Sequence, residues 1–344
     1  MKADFAIIGS GPAGHHAALE AAKAGCSVVL IERERDIGGA CVHRGTIPSK
    51  TLRATAVQLA ANRRGPESLR IELDENAEVA SLMTRLHDVV DAHVGYMRKQ
   101  AVAAGIRPLH GRARFVGPTR LEVAHLRGQP SIVEARHVVV ATGSRPRRPP
   151  EIPIDHENVL DSDSILSLAY LPQSLIVLGG GVIASEWASI FASLGVAVTM
   201  IDRGQRPLAF MDEALTAQFV SAFEATGSRY LAGREIRRVA FDGIDHVDVV
   251  LGDGACVRAR KVLCALGRTA NVAGLGLEAA GIQLSERGHI PVDEHGRAAE
   301  RVYAVGDVIG FPALAATSMV QGRRAVRHAL GLGEGQGVET IPIG

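Results

Sequence analysis

The chain has 344 residues, 47% of them apolar, which is enough for two domains with buried cores. Its 38 Lys and Arg nearly balance 37 Asp and Glu, with no block of like charge, so neither nucleic acid nor an anionic membrane is indicated as a partner. The four cysteines show no CxxC and no ligand-like spacing with histidine, so no metal is expected. No apolar run of about eighteen residues suggests a membrane span.

The first predicted strand is DFAIIG, Asp4 to Gly9, followed by SGPAG, an alanine-rich helix through about Ala24, and the apolar run SVVLIE ending at Glu32. Strand, glycine loop, helix, strand and acid make one dinucleotide-binding unit, with Gly9, Gly11 and Gly14 in GxGxxG spacing. Gly9 permits the tight turn, Gly11 lets a pyrophosphate approach the backbone, and Gly14 allows close helix–strand packing. The phosphates then lie at a helix N-terminus, where unpaired N–H groups and the dipole favour anions. Glu32 is expected to accept a hydrogen bond from a ribose. The loop at Gly9 leaves no room for a signal peptide before it, and the cytoplasm is the expected compartment.

Leucine, valine and methionine recur three or four apart over about 46–62 and 77–104, which predicts two helices. Residues 105–140 are a series of short strand candidates, closing on ARHVVVATGSRP with Thr142 and Gly143. A second unit then repeats the first. SLIVLG is its strand, GGVIAS its loop, EWASIFASLG its helix and VAVTMID its second strand. Gly179, Gly181 and Ala184 match Gly9, Gly11 and Gly14, and Asp202 follows Gly179 by the same offset as Glu32 follows Gly9. One GxGxxG is weak evidence; two complete units predict an α/β protein with two Rossmann-like dinucleotide-binding domains. KVLCALGRTAN, with Gly267 and Arg268, closes the second unit. Chain crossings are expected near Arg145–Pro150 and Gly267–Asn271. Cys26, Cys256 and Cys264 sit in or beside strand-like runs and are read as packing residues.

The ordered motifs GSGPAG, GGACVHRGTIPSK, ATGSRP, GGGVIASE, GRTAN and VYAVGDV cover nearly the whole chain. In that order they resemble the pyridine nucleotide–disulfide oxidoreductases, and within them the soluble Si-specific transhydrogenase group. The resemblance implies FAD on the first unit and NAD or NADP, as substrates, on the second. It implies an FAD domain of residues 1–147 and 268–330 around an NAD(P) domain of 148–267, with 331–344 leading toward a dimerisation domain that lies beyond the chain. A homodimer is expected of a full-length relative.

Carried over onto matching positions, Gly9, Gly11, Gly14 and Glu32 hold the ADP half of FAD. Gly39, Cys41, Thr46, Thr142, Gly143 and Gly306 line the cofactor, and Asp307 bonds the ribityl chain. The helix from about Ala313, with Ala315, aims its positive end at the flavin pyrimidine edge. Lys50 is expected beside the flavin N5 region, with Glu186 as its ion-pair partner; these two are the catalytic candidates. Gly179, Gly181, Ala184, Asp202, Arg203, Arg206, Gly267 and Arg268 are assigned to the nicotinamide nucleotide.

One departure decides the expected chemistry. Disulfide reductases of this family carry CxxxxC, whereas here the motif runs from Cys41 to Thr46. A hydroxyl cannot form a disulfide, so dithiol exchange at this position is excluded. The expected activity is hydride transfer between NADPH/NADP and NADH/NAD. Two alternatives are an NAD(P)H diaphorase and an FAD-binding module with little turnover; a dihydrolipoamide dehydrogenase-like activity ranks below them. Cys41 and His43 are read as packing or flavin-edge residues. Asp202 favours NAD, while Arg203 and Arg206 favour NADP, so use of both nucleotides is expected.

Overall fold

The structure, a computed structural model, describes residues 1–64 and 75–333. It forms two compact units: Met1–His43, Val90–Arg145 and residues from Thr269 onward in the first, Arg44–Val89 and Pro146–Arg268 in the second.

The first unit is built on an eight-stranded sheet. Its parallel strands run side by side as Val302–Ala304, Ser131–Val140, Lys2–Ile8, Val28–Glu32 and Arg107–His110. Ile8 lies opposite both Ile31 and Val140, which fixes the register at the carboxyl ends of the strands. Alternation along each strand sends Ala6, Ile8, Ile31 and Val140 to one face and Phe5, Ile7, Leu30 and Val139 to the other. Both faces are buried, which is why these strands read as continuous apolar runs. The Pro12–Lys23 helix covers one face together with the Ala315–Ala329 helix. A Cβ on Gly322 would lie 2.2 Å from the Ala13 carbonyl oxygen, so these two helices approach at backbone contact. Arg327 donates to Glu20 across the same pair at 3.0 Å.

The second unit repeats the arrangement with five parallel strands, in the order Arg229–Leu231, Ala197–Ile201, Ser174–Leu178, Lys261–Cys264 and Val159–Asp161. A three-stranded antiparallel sheet, Ile236–Phe241, Val247–Leu251 and Cys256–Ala259, packs its apolar face on that sheet through Val239, Val249 and Ile176. In both units the strand that leads into the glycine loop, Lys2–Ile8 or Ser174–Leu178, is central, and the strand order reverses beside it, which leaves a crevice at the carboxyl end of the sheet.

The expected helices appear at Thr46–Arg64 and Glu75–Ala103, and the helix of the second nucleotide unit starts at Val182 rather than Glu186. Gly39–His43 forms a short helix that no periodicity predicts. By packing, Arg44–Val89 groups with the second unit, although the expected first segment ran unbroken over 1–147. Most of the expected linker, from residue 334 on, lies outside the described residues. Among the described residues no helix is long and apolar enough to cross a membrane.

Candidate active site and nucleotide cradles

Gly9 adopts φ +101° and a Cβ there would meet the Ala141 carbonyl oxygen at 2.4 Å. A Cβ on Gly14 would lie 1.9 Å from the Gly9 carbonyl oxygen, so the helix can start this close to the strand only with glycine at that position. Gly11 differs. Its φ of −64° and ψ of −176° suit any residue, and the nearest atom to a built Cβ is the Gly39 Cα at 3.9 Å. The fold itself does not require glycine there; an open approach to the helix N-terminus does. No side chain caps that terminus, which leaves its first N–H groups for an anion.

Glu32 ends the second strand and turns back on the loop. Its Oε2 accepts from the Ser10 amide at 2.9 Å and the Ser10 hydroxyl at 2.6 Å, and its Oε1 accepts from the Glu34 amide at 2.9 Å. A carboxylate has about four acceptor positions, so Glu32 can still accept from a ribose hydroxyl. Ser10 also accepts from the Gly38 amide at 3.1 Å, drawing the Gly38–Gly39 segment onto the loop. Gly39 thereby lies against Gly11.

At the far side of the same unit, Ser144 donates to Asp307 at 2.6 Å, and Gln321 accepts from the Gly306 amide at 2.9 Å. Sequence reading assigns no role to either: Ser144 stands inside ATGSRP with only its neighbours Thr142 and Gly143 singled out, and Gln321 belongs to no motif. The Ala315–Ala329 helix begins within this unit with no side-chain cap. Asn271 donates to the Thr142 carbonyl at 3.0 Å, and its amide donates to that of Gly143 at 2.9 Å. The Thr142 hydroxyl and the Asn271 side-chain oxygen are buried without a hydrogen-bond partner. Buried polar atoms of that kind call for a partner. Open Gly11, an uncapped helix and two waiting polar atoms therefore fit FAD. Cys41 lies half-buried in the Gly39–His43 helix, where the His43 ring is 2.9 Å from the Ile37 carbonyl oxygen.

In the second unit, Gly179 repeats Gly9 with φ +118°, and a Cβ there would meet the Ala265 carbonyl oxygen at 2.7 Å. Ala184 is fully buried at the Gly14 position, so the helix here stands far enough off to hold a methyl group. Gly181 has open space where a Cβ would be and no side-chain cap at its helix. Asp202 folds over the loop, so that a Cβ on Gly180 would lie 2.0 Å from its Oδ2. The Tyr230 hydroxyl donates to the same oxygen at 3.4 Å; burial, then the Asp202 charge, push that phenol well above the ordinary tyrosine range. Gly267 is exposed after the Lys261–Cys264 strand. The Arg268 guanidinium is 3.9 Å from Asp163, whose carboxyl is raised above its usual range by burial, against the opposing pull of Arg268 and Arg44.

The two arginines assigned to phosphate are placed differently. Arg203 is exposed, whereas Arg206 donates to the Met211 and Ala209 carbonyls at 2.8 and 2.9 Å and to the Thr216 hydroxyl at 3.2 Å. Arg206 thus clamps its own loop. Arg203→Ala should weaken NADPH against NADH by about 1.5 kcal/mol, the lower end for a charged contact because the side chain is solvated. Arg206→Ala should weaken both nucleotides alike by loosening the loop. Binding titrations with NADPH and NADH check this, and a selective NADPH loss in Arg206→Ala would make it a phosphate reader after all.

Within the second unit the Lys50 ammonium donates to Glu186 Oε1 at 2.5 Å. The Lys50 side chain is 64% exposed and that of Glu186 20%, so the charge is held in place yet remains open to a ligand. Thr46 starts the same helix, exposed, with its carbonyl accepting from Ser49.

The family model of the pyridine nucleotide-disulphide oxidoreductases matches residues 3–322. The chain belongs to that family. It is an oxidoreductase flavoprotein, with FAD as cofactor and nicotinamide nucleotides as substrates. It is similar to the soluble pyridine nucleotide transhydrogenase of Mycobacterium bovis BCG Pasteur, 38% identical over 99% of this chain and 73% of that protein. The protein of that name from Pseudomonas fluorescens is 36% identical over 99% and 74%. Among solved structures, LpdA from Mycobacterium tuberculosis has a TM-score of 0.89 at 31% identity, covering 97% of this chain and 73% of that one. The flavoprotein disulfide reductase RclA from Escherichia coli has a TM-score of 0.83 at 27% identity, covering 98% and 73%.

Proposed function

We propose that this flavoprotein passes hydride between NADPH/NADP and NADH/NAD without a redox-active disulfide. Thr46 carries the reading, since it stands where a disulfide reductase of this family needs its second thiol. Relatives that bear the transhydrogenase name support it.

Bound FAD would supply the hydride carrier between the two nicotinamide nucleotides. Residues 1–147 and 268–330 are assigned to FAD and 148–267 to NAD(P), with the helical stretch from Arg44 packed on the latter. Gly9, Gly11 and Gly14 admit the pyrophosphate, Glu32 bonds the ribose, and Asp307, held by Ser144, bonds the ribityl chain. Gly181 and Asp202 hold the nicotinamide nucleotide, and Lys50 holds positive charge at the hydride-accepting edge, anchored by Glu186. No general acid or base is required, because hydride moves directly between ring atoms. Donor and acceptor nucleotides use one site in turn, so the kinetics are expected to be ping-pong.

The test is stopped-flow mixing of FAD-loaded protein, bleached anaerobically with one equivalent of NADPH, against thio-NAD⁺. The flavin absorbance should recover as thio-NADH forms, and reductive titration should consume two electrons per FAD, a number fixed by the single hydride-accepting ring. Persistent bleaching with thio-NAD⁺, alongside rapid recovery with a quinone, would replace this reading with a diaphorase.

A further inference from the structure

The polar contacts of the Thr46–Arg64 helix on the Val182–Ser193 helix do not end with Lys50. Arg53, one turn further on, is half-buried, and its Nη1 donates to the Ser189 carbonyl at 3.2 Å and to the Ser193 hydroxyl at 2.8 Å. The Ser193 hydroxyl donates in turn to the Ser189 carbonyl at 2.7 Å, and the Ser189 hydroxyl donates to the Glu186 carbonyl at 2.9 Å. Lys50 and Arg53 are three apart on one helix, and Glu186, Ser189 and Ser193 follow the i, i+3, i+7 spacing on the other. Residues so spaced share a face, so the two side chains form a ladder down a single helix–helix seam.

The apolar side of that seam is incompletely filled. Leu52, Trp187, Ile190 and Leu194 line a small apolar cavity there together with Leu82 and Met83. Apolar contact is non-directional, and a seam with a void loses part of the interdigitation that would resist sliding. A guanidinium bonded to two acceptors is directional. Arg53 therefore sets where its helix sits along the neighbouring one, and so where the Lys50 ammonium lies.

We infer that Arg53 is a positioning residue for hydride transfer, acting through Lys50 by locking the register of the Lys50 helix on Glu186, Ser189 and Ser193. This rests on the proposed role of Lys50. Arg53 touches no nucleotide in this scheme, and its effect passes through the location of one charge.

The experiment compares Arg53→Met, which keeps an apolar stem, with Arg53→Lys, Lys50→Met and the double variant Arg53→Met/Lys50→Met, all loaded with FAD. Stopped-flow mixing with NADH separates the hydride-transfer rate constant from nucleotide affinity. Arg53→Met should slow hydride transfer roughly tenfold while affinity holds, as expected for a displaced reacting group. Arg53→Lys should recover part of the loss. Adding Arg53→Met to Lys50→Met should slow transfer no further, since the charge it positions is already gone. Independently of turnover, the Glu186 carboxylate ¹³C resonance, assigned with Glu186→Gln, should move in Arg53→Met in the direction it moves in Lys50→Met. Parent rates and an unmoved resonance in Arg53→Met, with Lys50→Met slow, would overturn the role of Arg53 alone. Additive slowing in the double variant would also overturn it, because Arg53 would then act by another route. Parent rates in Lys50→Met would overturn the role of the pair and this inference with it.

Discussion

A Gly11→Val protein should purify folded and colourless. Its backbone, at φ −64° and ψ −176°, is open to any residue, and a Cβ there meets nothing closer than the Gly39 Cα at 3.9 Å. The sheet, the Pro12–Lys23 helix and both apolar faces are untouched, so far-UV circular dichroism should match the parent. The valine branches would occupy the space in front of the uncapped helix N-terminus, where a pyrophosphate must reach backbone N–H groups. Gly14→Ala is the control with the opposite signature. Its Cβ would lie 1.9 Å from the Gly9 carbonyl oxygen, so helix and strand must separate. Overpacking of this kind costs about 1–3 kcal/mol or more and lowers the melting temperature whether or not FAD is bound. The measurement is FAD per protein by visible absorbance beside the dichroism spectrum. A yellow Gly11→Val protein at full occupancy would place the pyrophosphate elsewhere.

That contrast also marks what can be read from the chain. The two glycine units are legible because backbone clearance and ligand access impose residue types at fixed spacing, and the apolar strands beside them leave little room for another architecture. Gly322 obeys the same clearance rule, yet it lies inside an otherwise ordinary helical stretch, and only its contact with the Ala13 carbonyl reveals why glycine is needed. The pairing of Lys50 with Glu186 follows from family resemblance alone; their separation along the chain, 136 residues, says nothing of it. Arg206 shows the reverse case. Its position after the acid suggests a phosphate reader, but two carbonyls of its own loop and the Thr216 hydroxyl on the following helix take up the guanidinium, a matter of rotamer that sequence does not encode locally. The grouping of Arg44–Val89 with the second unit was hidden for a similar reason, since it depends on which helix face meets which partner.

Lys50→Met is expected to slow hydride transfer by about a hundredfold, the scale on which a fixed charge at a reacting centre acts. The protein should nevertheless stay folded. An ion pair whose lysine is 64% exposed is solvated, and such pairs contribute about 0–1 kcal/mol to stability, so the melting temperature should shift by only a few degrees. The effect on rate is larger because a bound nicotinamide excludes water, and the ammonium then acts across a less polarisable medium. Nucleotide affinity should change by less than the rate does, since the charge is matched to what develops during transfer and not to the resting ring. Glu186→Gln should be milder, because an amide oxygen still accepts from the ammonium and keeps it in place, only without the opposing charge. Lys50→Arg should retain part of the activity, its planar fork carrying the charge but not its point-like position. Stopped-flow titration over nucleotide concentration yields rate and affinity separately. If Lys50→Met loses affinity and rate in equal measure, the ammonium belongs to nucleotide binding, and positive charge at the hydride-accepting edge must come from another group.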